Sequence, residues 1–458
     1  MRETIKIIEH GPVTRIVLPV SASIYDRSSI SLAAKQAVTA WNNEGRAFDY
    51  FDSMNMTLLR GHTPRVVRAL EAHGYSVSWE MTTPAQEKFI FGDPVGELRN
   101  LQEWGVGEML KHYYGIISFG CRFGKSYTYA GWWCARGRPR TIIFAHTEKI
   151  CSQMHEELSE WLGEPVGVVA RTTGIKDNWQ RLTIACDKSF FDKERQLLPD
   201  HKPYLLNTEA IIRDECHQFG ELGGLIYDHC PNLIYSWGGS ATPFKKQPEK
   251  DLLIEGYCGP LRAEAPAKIL ADHGIVAMLV CRWKRIYHRP IIWDTWNVLR
   301  DNAIVHNFER NNEIAKICHH HRDQGLRGIV FVDRVPHGQN LEALLPGSVF
   351  VSSTTMSKAQ RDDSLKKFNR GELHTVVTTK VWREGVTFYA DYAINAEGGR
   401  ADHVNIQKAG RPLMPRTDGT AVAWYDFIDH GIDKLYDHSV DRYDCMTNEG
   451  WEQEILDG

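Results

Sequence analysis

"YGIISFGCRFGKSYTYA" occupies residues 114–130, and its reading decides the fold. The first six residues are mostly apolar and short enough for a buried strand. A glycine-containing turn follows, and Lys125-Ser126 open a stretch that can continue as a helix. Strand, turn, helix is the context a phosphate-binding loop requires, because backbone N–H groups and the helix N-terminus then meet phosphate oxygens. In such a loop Gly124 keeps the backbone close to the ligand, Lys125 reaches the β and γ phosphates, and the Ser126 hydroxyl helps hold Mg²⁺. The pattern G-x-x-x-x-G-K-[ST] is incomplete here. Phe119 stands at its first glycine, and Arg122 and Phe123 occupy positions where small residues are usual. Taken alone, the segment fits a phosphate cradle and an ordinary strand-to-helix corner equally.

At 458 residues the chain is too long for one ordinary domain, and about two to four are expected. Hydrophobic residues make up 42%, enough for packed cores. No window reaches the roughly 18 uncharged apolar residues of a membrane span, and the N-terminus lacks a signal-peptide run. The ten cysteines contain no CxxC pair and read as reduced thiols of a cytoplasmic protein. A net charge of −4 excludes a uniformly basic nucleic-acid coat but leaves room for a local basic groove. "ICHHHRDQ" (317–324) gathers a cysteine and three histidines, readable as a metal site or as a solvated helix end.

Residues 1–85 read as a small α+β unit, with strands at "TRIVLPV" and "YSVSWEM", helices at "SISLAAKQAVTAW" and "PRVVRALEAHG", and a hairpin at "FDYFDSMNMTLLRG". "TTPAQEKFIFGDPVGE" (82–97) is punctuated like a linker. Beyond it, "YGIISFG", "RTIIFAHT", "RLTIAC", "EAIIRDE" and "NLIYSWGGS" alternate with helical stretches, the texture of buried parallel strands. A second series follows in "RGIVFVDR", "SVFVSS", "HTVVTT", "YAINAE" and "TAVAWYDF". The expected fold is therefore α/β: two tandem doubly wound parallel-sheet domains, at 86–262 and 263–458, after the small unit.

Two further motifs bear on chemistry. "IIRDECHQF" (211–219) places Asp214 and Glu215 at the end of an apolar strand. There Asp214 could enter a Mg²⁺ shell and Glu215 could orient and deprotonate a water. The bland alternative is a surface acidic pair. "SWGGSATPF" (236–244) sets Ser240 and Thr242 after another strand, and alone reads as an ordinary Ser/Thr turn.

Together, the Lys125-Ser126 loop, Asp214-Glu215-Cys216-His217 and Ser240-Ala241-Thr242 resemble superfamily-2 DExH-box helicases. That resemblance implies RecA-like domains and further motifs, most of which are present. Arg99 and Gln102 in "LRNLQEWG" correspond to the adenine-reading segment, and Thr147 to a nucleic-acid-contacting residue. Thr173 and Gly174 in "ARTTGIKD" resemble the next such loop, and "IACDKS" is similar to a further motif, with Cys186 where threonine is usual. In the second half, Thr379 and Gly385 resemble motif V, and Gln407, Gly410 and Arg411 resemble Q-x-x-G-R-x-x-R of motif VI. Several segments, "EGYCGPLRAEAPAKILADHGIVA" among them, resemble UvsW-type phage branch-migration helicases.

The resemblance implies ATP and Mg²⁺, with Lys125, Asp214, Glu215 and Arg411 catalytic. Ser126 and Asp214 would hold metal; Arg99, Gln102, Gly124, Gly385 and Gln407 would line the nucleotide. Thr147, Thr173, Gly174 and Thr379 would grip a strand, and Ser240 and Thr242 would couple hydrolysis to that grip. The implied partner is forked, branched, duplex or single-stranded DNA, along with recombination or replication proteins in a bacterial host cytoplasm. An RNA helicase, or a binding platform with weak ATPase, are the alternatives. One departure bears on this: the last arginine of motif VI is Met414 here, with Arg416 two residues on. Arg60, Arg65 and Arg68 in the small unit are readable as a DNA-binding face or as solvated residues.

Overall fold

The computed structural model describes residues 4–19, 22–42, 45–82, 96–170, 178–244, 247–382, 389–400, 409 and 419–456. They fall into two compact units, residues 1–119 with 123–264, and residues 120–122 with 265–458.

The first unit begins with a five-stranded sheet. Its strands are β1 (Thr4–His10), β2 (Val13–Val17), β5 (Phe51–Asp52), β6 (Thr57–Leu59) and β7 (Ser76–Thr82), ordered β5-β6-β2-β1-β7. The strand β1 lies in "TIKIIEH", where apolar and polar residues alternate and Ile5 and Ile7 turn inward. A short ribbon of β3 (Thr39–Trp41) and β4 (Ala47–Asp49) stands apart from that sheet. The expected helix at 29–41 runs instead over Ile24–Ala37, started by a capping box between Ser23 and Asp26. In the second helix, Thr63–Ala72, Val66 and Leu70 are one turn apart and both point into the core.

This layer packs on the rest of its unit through polar groups. Arg60 is buried and donates to Leu233 O at 3.1 Å, while Arg65 Nε donates to Glu255 Oε1 at 2.7 Å. The Tyr114 hydroxyl donates to Glu9 at 2.8 Å. The reading of Arg60, Arg65 and Arg68 as one free basic face therefore fails at its first two members, which tie the layer down; Arg68 alone is exposed without such a tie among the described contacts.

The second sheet of this unit has seven strands: β8 (Tyr114–Phe119), β9 (Thr141–Phe144), β10 (Gly167–Val169), β11 (Leu182–Ala185), β12 (Ala210–Asp214), β13 (Tyr235–Ser240) and β14 (Leu261–Ala265). Their order is β10-β11-β9-β12-β13-β8-β14, and the pairs from β10 through β8 are parallel. β8, β9, β11, β12 and β13 carry the sequence-expected runs, buried as strands covered on both faces must be.

The second unit holds another seven-stranded sheet, fully parallel. It comprises β15 (Leu279–Tyr287), β16 (Gly328–Phe331), β17 (Val349–Val351), β18 (Thr375–Thr378), β19 (Tyr392–Asn395), β20 (Val422–His430) and β21 (Glu452–Leu456), ordered β17-β18-β16-β19-β20-β15-β21. The helices Phe308–Asp323 and Val335–Leu344 cover part of it, with Ile314, Cys318 and Leu341 in its core. The architecture is two tandem RecA-like parallel-sheet domains with a small α+β region at the N-terminus. No described helix is long and apolar enough to cross a membrane.

Candidate functional site

The order β12-β13-β8 brings the carboxyl ends of three parallel strands side by side, where ligands of open α/β sheets bind. β8 ends at Phe119, β12 at Asp214 and β13 at Ser240, with Ser118 opposite Ser240 in register and Asp214 opposite Gly239. The loop after β8 delivers Gly124, which caps the helix Lys125–Ala135 with a left-handed backbone (φ 86°). Arg122 also takes positive φ, 70°, an arrangement that costs a side-chain-bearing residue energy.

Phe119 and Phe123 account for the loop's departure from the glycine pattern. Both are buried, and their rings stack 4.1 Å apart, so the loop is anchored by an aromatic pair beneath it. From the other side, the helix Asn100–Leu110 supports it. Gln102 is buried, accepts from Arg99 N at 2.9 Å, and donates to Phe123 O at 3.2 Å and Gly124 O at 3.4 Å. The Arg99 guanidinium donates to Phe123 O as well. Both polar ends of Gln102 thus face the chain's own backbone.

Lys125 Nζ lies 3.4 Å from Glu215 Oε1. On its other oxygen, Glu215 accepts from the Ser240 hydroxyl at 3.1 Å and lies 3.2 Å from His217 Nδ1. His217 Nδ1 is in turn 2.8 Å from Ser240 Oγ, which also accepts from Thr242 N at 3.1 Å. Glu215 has φ 49°, the left-handed turn that swings its side chain back toward Lys125. Asp214 accepts at 3.1 Å from the hydroxyl of Tyr129, one helical turn beyond Lys125.

The two adjacent carboxyls are pulled apart in acidity. Burial, and then the negative Glu215, push Asp214 up to about 6 against the opposing pull of Lys125 and Tyr129. Burial also works against ionisation of Glu215, but Lys125, His217 and Ser240 together outweigh it and hold that carboxyl well below the usual range. Such divergence within a pair is how acid, base and metal-binding roles are separated.

Other sequence-expected residues are placed as follows. Thr147 follows β9 and caps the helix Glu148–Leu162, accepting from Ile150 N at 3.3 Å. Thr379 follows β18 in the second unit and is buried. Thr173, Gly174, Gly385, Gln407, Gly410, Arg411, Met414 and Arg416 lie outside the described residues, as does most of the expected linker. The cysteine–histidine cluster at 317–324 is largely packed into its domain. Cys318 is buried, His321 stacks on Tyr392 and bonds Tyr425, and of the three histidines only His320 is exposed. Among the described residues no group of three or more His, Cys, Asp or Glu is arranged to hold a metal. Two groups in the network were missed as participants. Tyr129 is signalled by its i+4 spacing from Lys125, and His217 by its place two residues after Glu215.

Residues 309–413 match the family model of the helicase conserved C-terminal domain. A curated relative, "Putative DNA 3'-5' helicase Rad25" of Haloarcula marismortui, is 23% identical over 343 residues, covering 71% of this chain. That match spans about half, 52%, of the relative's length. Among solved structures, the DNA-bound Type ISP restriction-modification enzyme LlaBIII is similar with a TM-score of 0.57 at 11% identity, covering 85% of this chain and 34% of that one. S. cerevisiae Dbp5 bound to RNA and ADP BeF3 is similar with a TM-score of 0.50 at 14% identity over 78% and 89% of the two chains. T4 UvsW is aligned over 99% of both chains at 14% identity, with a TM-score of 0.47.

Proposed function

We propose that this chain is an ATP-dependent motor of helicase superfamily 2, a DNA helicase or translocase acting on forked or branched DNA in recombination and repair. One observation carries the reading. Lys125, Glu215, His217 and Ser240, from three separate motifs, converge in one hydrogen-bonded group at the carboxyl edge of a parallel sheet. An accidental Gly-Lys-Ser or Asp-Glu pair carries no such requirement.

In this reading Lys125 takes the β and γ phosphate oxygens, and the first-turn N–H groups of the helix Lys125–Ala135 add to the cradle. Ser126 and Asp214 hold Mg²⁺. The donor set fits, since Mg²⁺ is usually held by one or two carboxylates with substrate phosphates completing its shell. When bound, the ion supplies charge neutralisation on those phosphates. Glu215 orients the attacking water. Lys125 and Glu215 now hold each other; a phosphate that draws Lys125 away removes a main reason for the low pKa of Glu215 and makes it a better proton acceptor. Gly385, Gln407 and Arg411 are assigned to the nucleotide from the second unit, with Arg411 as the arginine finger and Arg416 as a substitute for the arginine that Met414 replaces. Thr147, Thr173, Gly174 and Thr379 are assigned to the phosphates of one strand, so binding is sequence-independent and weakens with salt. Ser240 and Thr242 couple the two processes.

The test is ATP hydrolysis by the full chain with duplex, forked and single-stranded DNA and with RNA. DNA stimulation that is lost in Glu215→Gln supports the proposal. Stronger stimulation by RNA would replace it with an RNA helicase, and the absence of Glu215-dependent hydrolysis would leave a binding platform.

A further inference from the structure

Arg213 interrupts the apolar run of β12, and no role above uses it. Its residue is only 3% exposed. The guanidinium lies over the ring of Phe144 at 4.5 Å, Phe219 at 4.6 Å and Tyr227 at 5.3 Å. Nη1 is 2.9 Å from both carboxylate oxygens of Asp187, and Nη2 donates to Gly223 O at 3.1 Å. A Cβ at Gly223 would come within 3.1 Å of the guanidinium carbon, so glycine lets the helix Glu221–Tyr227 sit against the guanidinium without displacing it.

The register explains what this arrangement joins. Arg213 stands opposite Phe144 of β9, and Phe144 opposite Ala185 of β11. Asp187 follows two residues later and opens the turn Asp187–Phe190. β11 and β12 are not neighbours, because β9 lies between them. The arginine therefore crosses the end of β9 to reach Asp187, while its own strand continues directly into Asp214 and Glu215. A methionine would fill the same aromatic box without the cost of desolvating a cation. What the guanidinium adds is a rigid tie between the turn after β11, the strand of the hydrolytic carboxyls and the helix that follows them.

We propose that Arg213 is a positioning residue that couples the turn Asp187–Phe190 to Asp214 and Glu215, so that a nucleic-acid strand held at the carboxyl edge of β9 and β11 is felt at the site of hydrolysis. The inference rests on the motor reading above. Lys188, exposed on that turn, offers an ammonium to a backbone phosphate. Movement of the turn draws Asp187, and Arg213 cannot swing aside within three rings. The displacement is delivered to β12. Glu215 responds because its contacts with Lys125 and Ser240, 3.4 and 3.1 Å, depend on where that strand ends.

The test compares Arg213→Met and Asp187→Asn in the full chain, with oligo(dT) or oligo(U), whichever stimulates the wild type more. Basal hydrolysis and the KM for ATP should stay within about twofold, with polynucleotide affinity retained. The ratio of stimulated to basal rate should fall about 3- to 30-fold, the range of coupling effects seen for residues that touch neither ligand. The double variant should lose no more than the stronger single one, because both remove the same tie. A preserved ratio in both variants, or equal loss of basal and stimulated rates, overturns the inference. Should Arg213→Met fail to fold, Asp187→Asn decides by the same ratio, since Asp187 is partly exposed and asparagine keeps its shape. A wild type that hydrolyses ATP without any polynucleotide effect sinks the coupling but not the ATPase; a wild type with no hydrolysis sinks the motor reading itself.

Discussion

The two parallel sheets hold their buried carboxyls differently. In the second unit Arg442 is fully buried, donates to Asp426 at 3.1 and 3.3 Å and to Phe427 O at 2.8 Å, and Asn395 donates to Asp426 at 2.8 Å. Arg310 and His288 close on Asp429 nearby, with the Arg310 guanidinium 4.2 Å from the ring of Phe427. These groups face one another along the body of β20 and pin the helices Phe308–Asp323 and Asp433–Asn448 to it. At the first unit's site the carboxyls sit at a strand end, and among the described contacts Asp214 accepts one hydrogen bond, from the Tyr129 hydroxyl, against its own burial. Charges that face one another tie helices to a strand, here with Arg310 Nε and Nη2 and Asp429 Oδ2 buried without a hydrogen-bond partner. A carboxyl at a strand end keeps lone pairs available for a ligand, at a cost in stability.

The largest expected effect separates the two directly. Glu215→Gln keeps the shape of the side chain and should lower hydrolysis by about 10²- to 10⁴-fold, the usual worth of a general base, with nucleotide binding nearly unchanged and a smaller loss of stability than of turnover, from the weakened Lys125 and His217 contacts. Arg442→Met should do the reverse. It strands Asp426 in the core and should cost about 3–5 kcal/mol in denaturant unfolding, while the folded fraction turns over normally. Equal loss of turnover and stability in both variants would erase the distinction.

The next effect follows from the acidity of Asp214. Its folded pKa, about 6, lies above the ordinary value, so the ionised form is disfavoured by folding. Stability linked to this group is present in acid and lost as pH rises through about 6. Metal binding has the opposite dependence, because the ion needs the carboxylate. Mg²⁺-nucleotide affinity should therefore fall by about tenfold per pH unit below about 6. Asp214→Asn should remove that dependence and raise the melting midpoint at about pH 8 by up to about 3 °C, while abolishing Mg²⁺-supported hydrolysis. A flat affinity profile from about pH 5 to about pH 7 would show that Asp214 is no metal ligand.

Much of this was legible in the sequence because parallel strands buried on both faces are continuous apolar runs, and all ten runs read that way form strands. β15 escaped, since "LVCRWKRIY" alternates buried and solvent-facing residues and carries three basic side chains, Arg282, Lys284 and Arg285. β10, at three residues, is too short to stand out. In the site, Lys125, Asp214 and Glu215 were readable because their motifs are local. Arg213 was not, because its role depends on strands and a helix apart in sequence; Tyr129 had a local signal in its spacing from Lys125, but its partner Asp214 lies 85 positions on. Arg60 and Arg65 misled for the same reason: their partners, Leu233 and Glu255, lie far along the chain.

The smallest effect concerns Gln102, whose amide faces the loop backbone rather than open space. Gln102→Ala removes one of two donors to Phe123 O, leaving Arg99, so the loop should loosen without collapsing. If the residue acts only as a brace, the KM rises by about the same few-fold factor for ATP and GTP, since the phosphates are what the loop holds. If it also reads adenine, as the resemblance implies, the ATP value alone rises and discrimination between the two nucleotides disappears. A buried amide with both ends already bonded favours the brace, because to reach a base it would have to give up hydrogen bonds that burial makes costly to break.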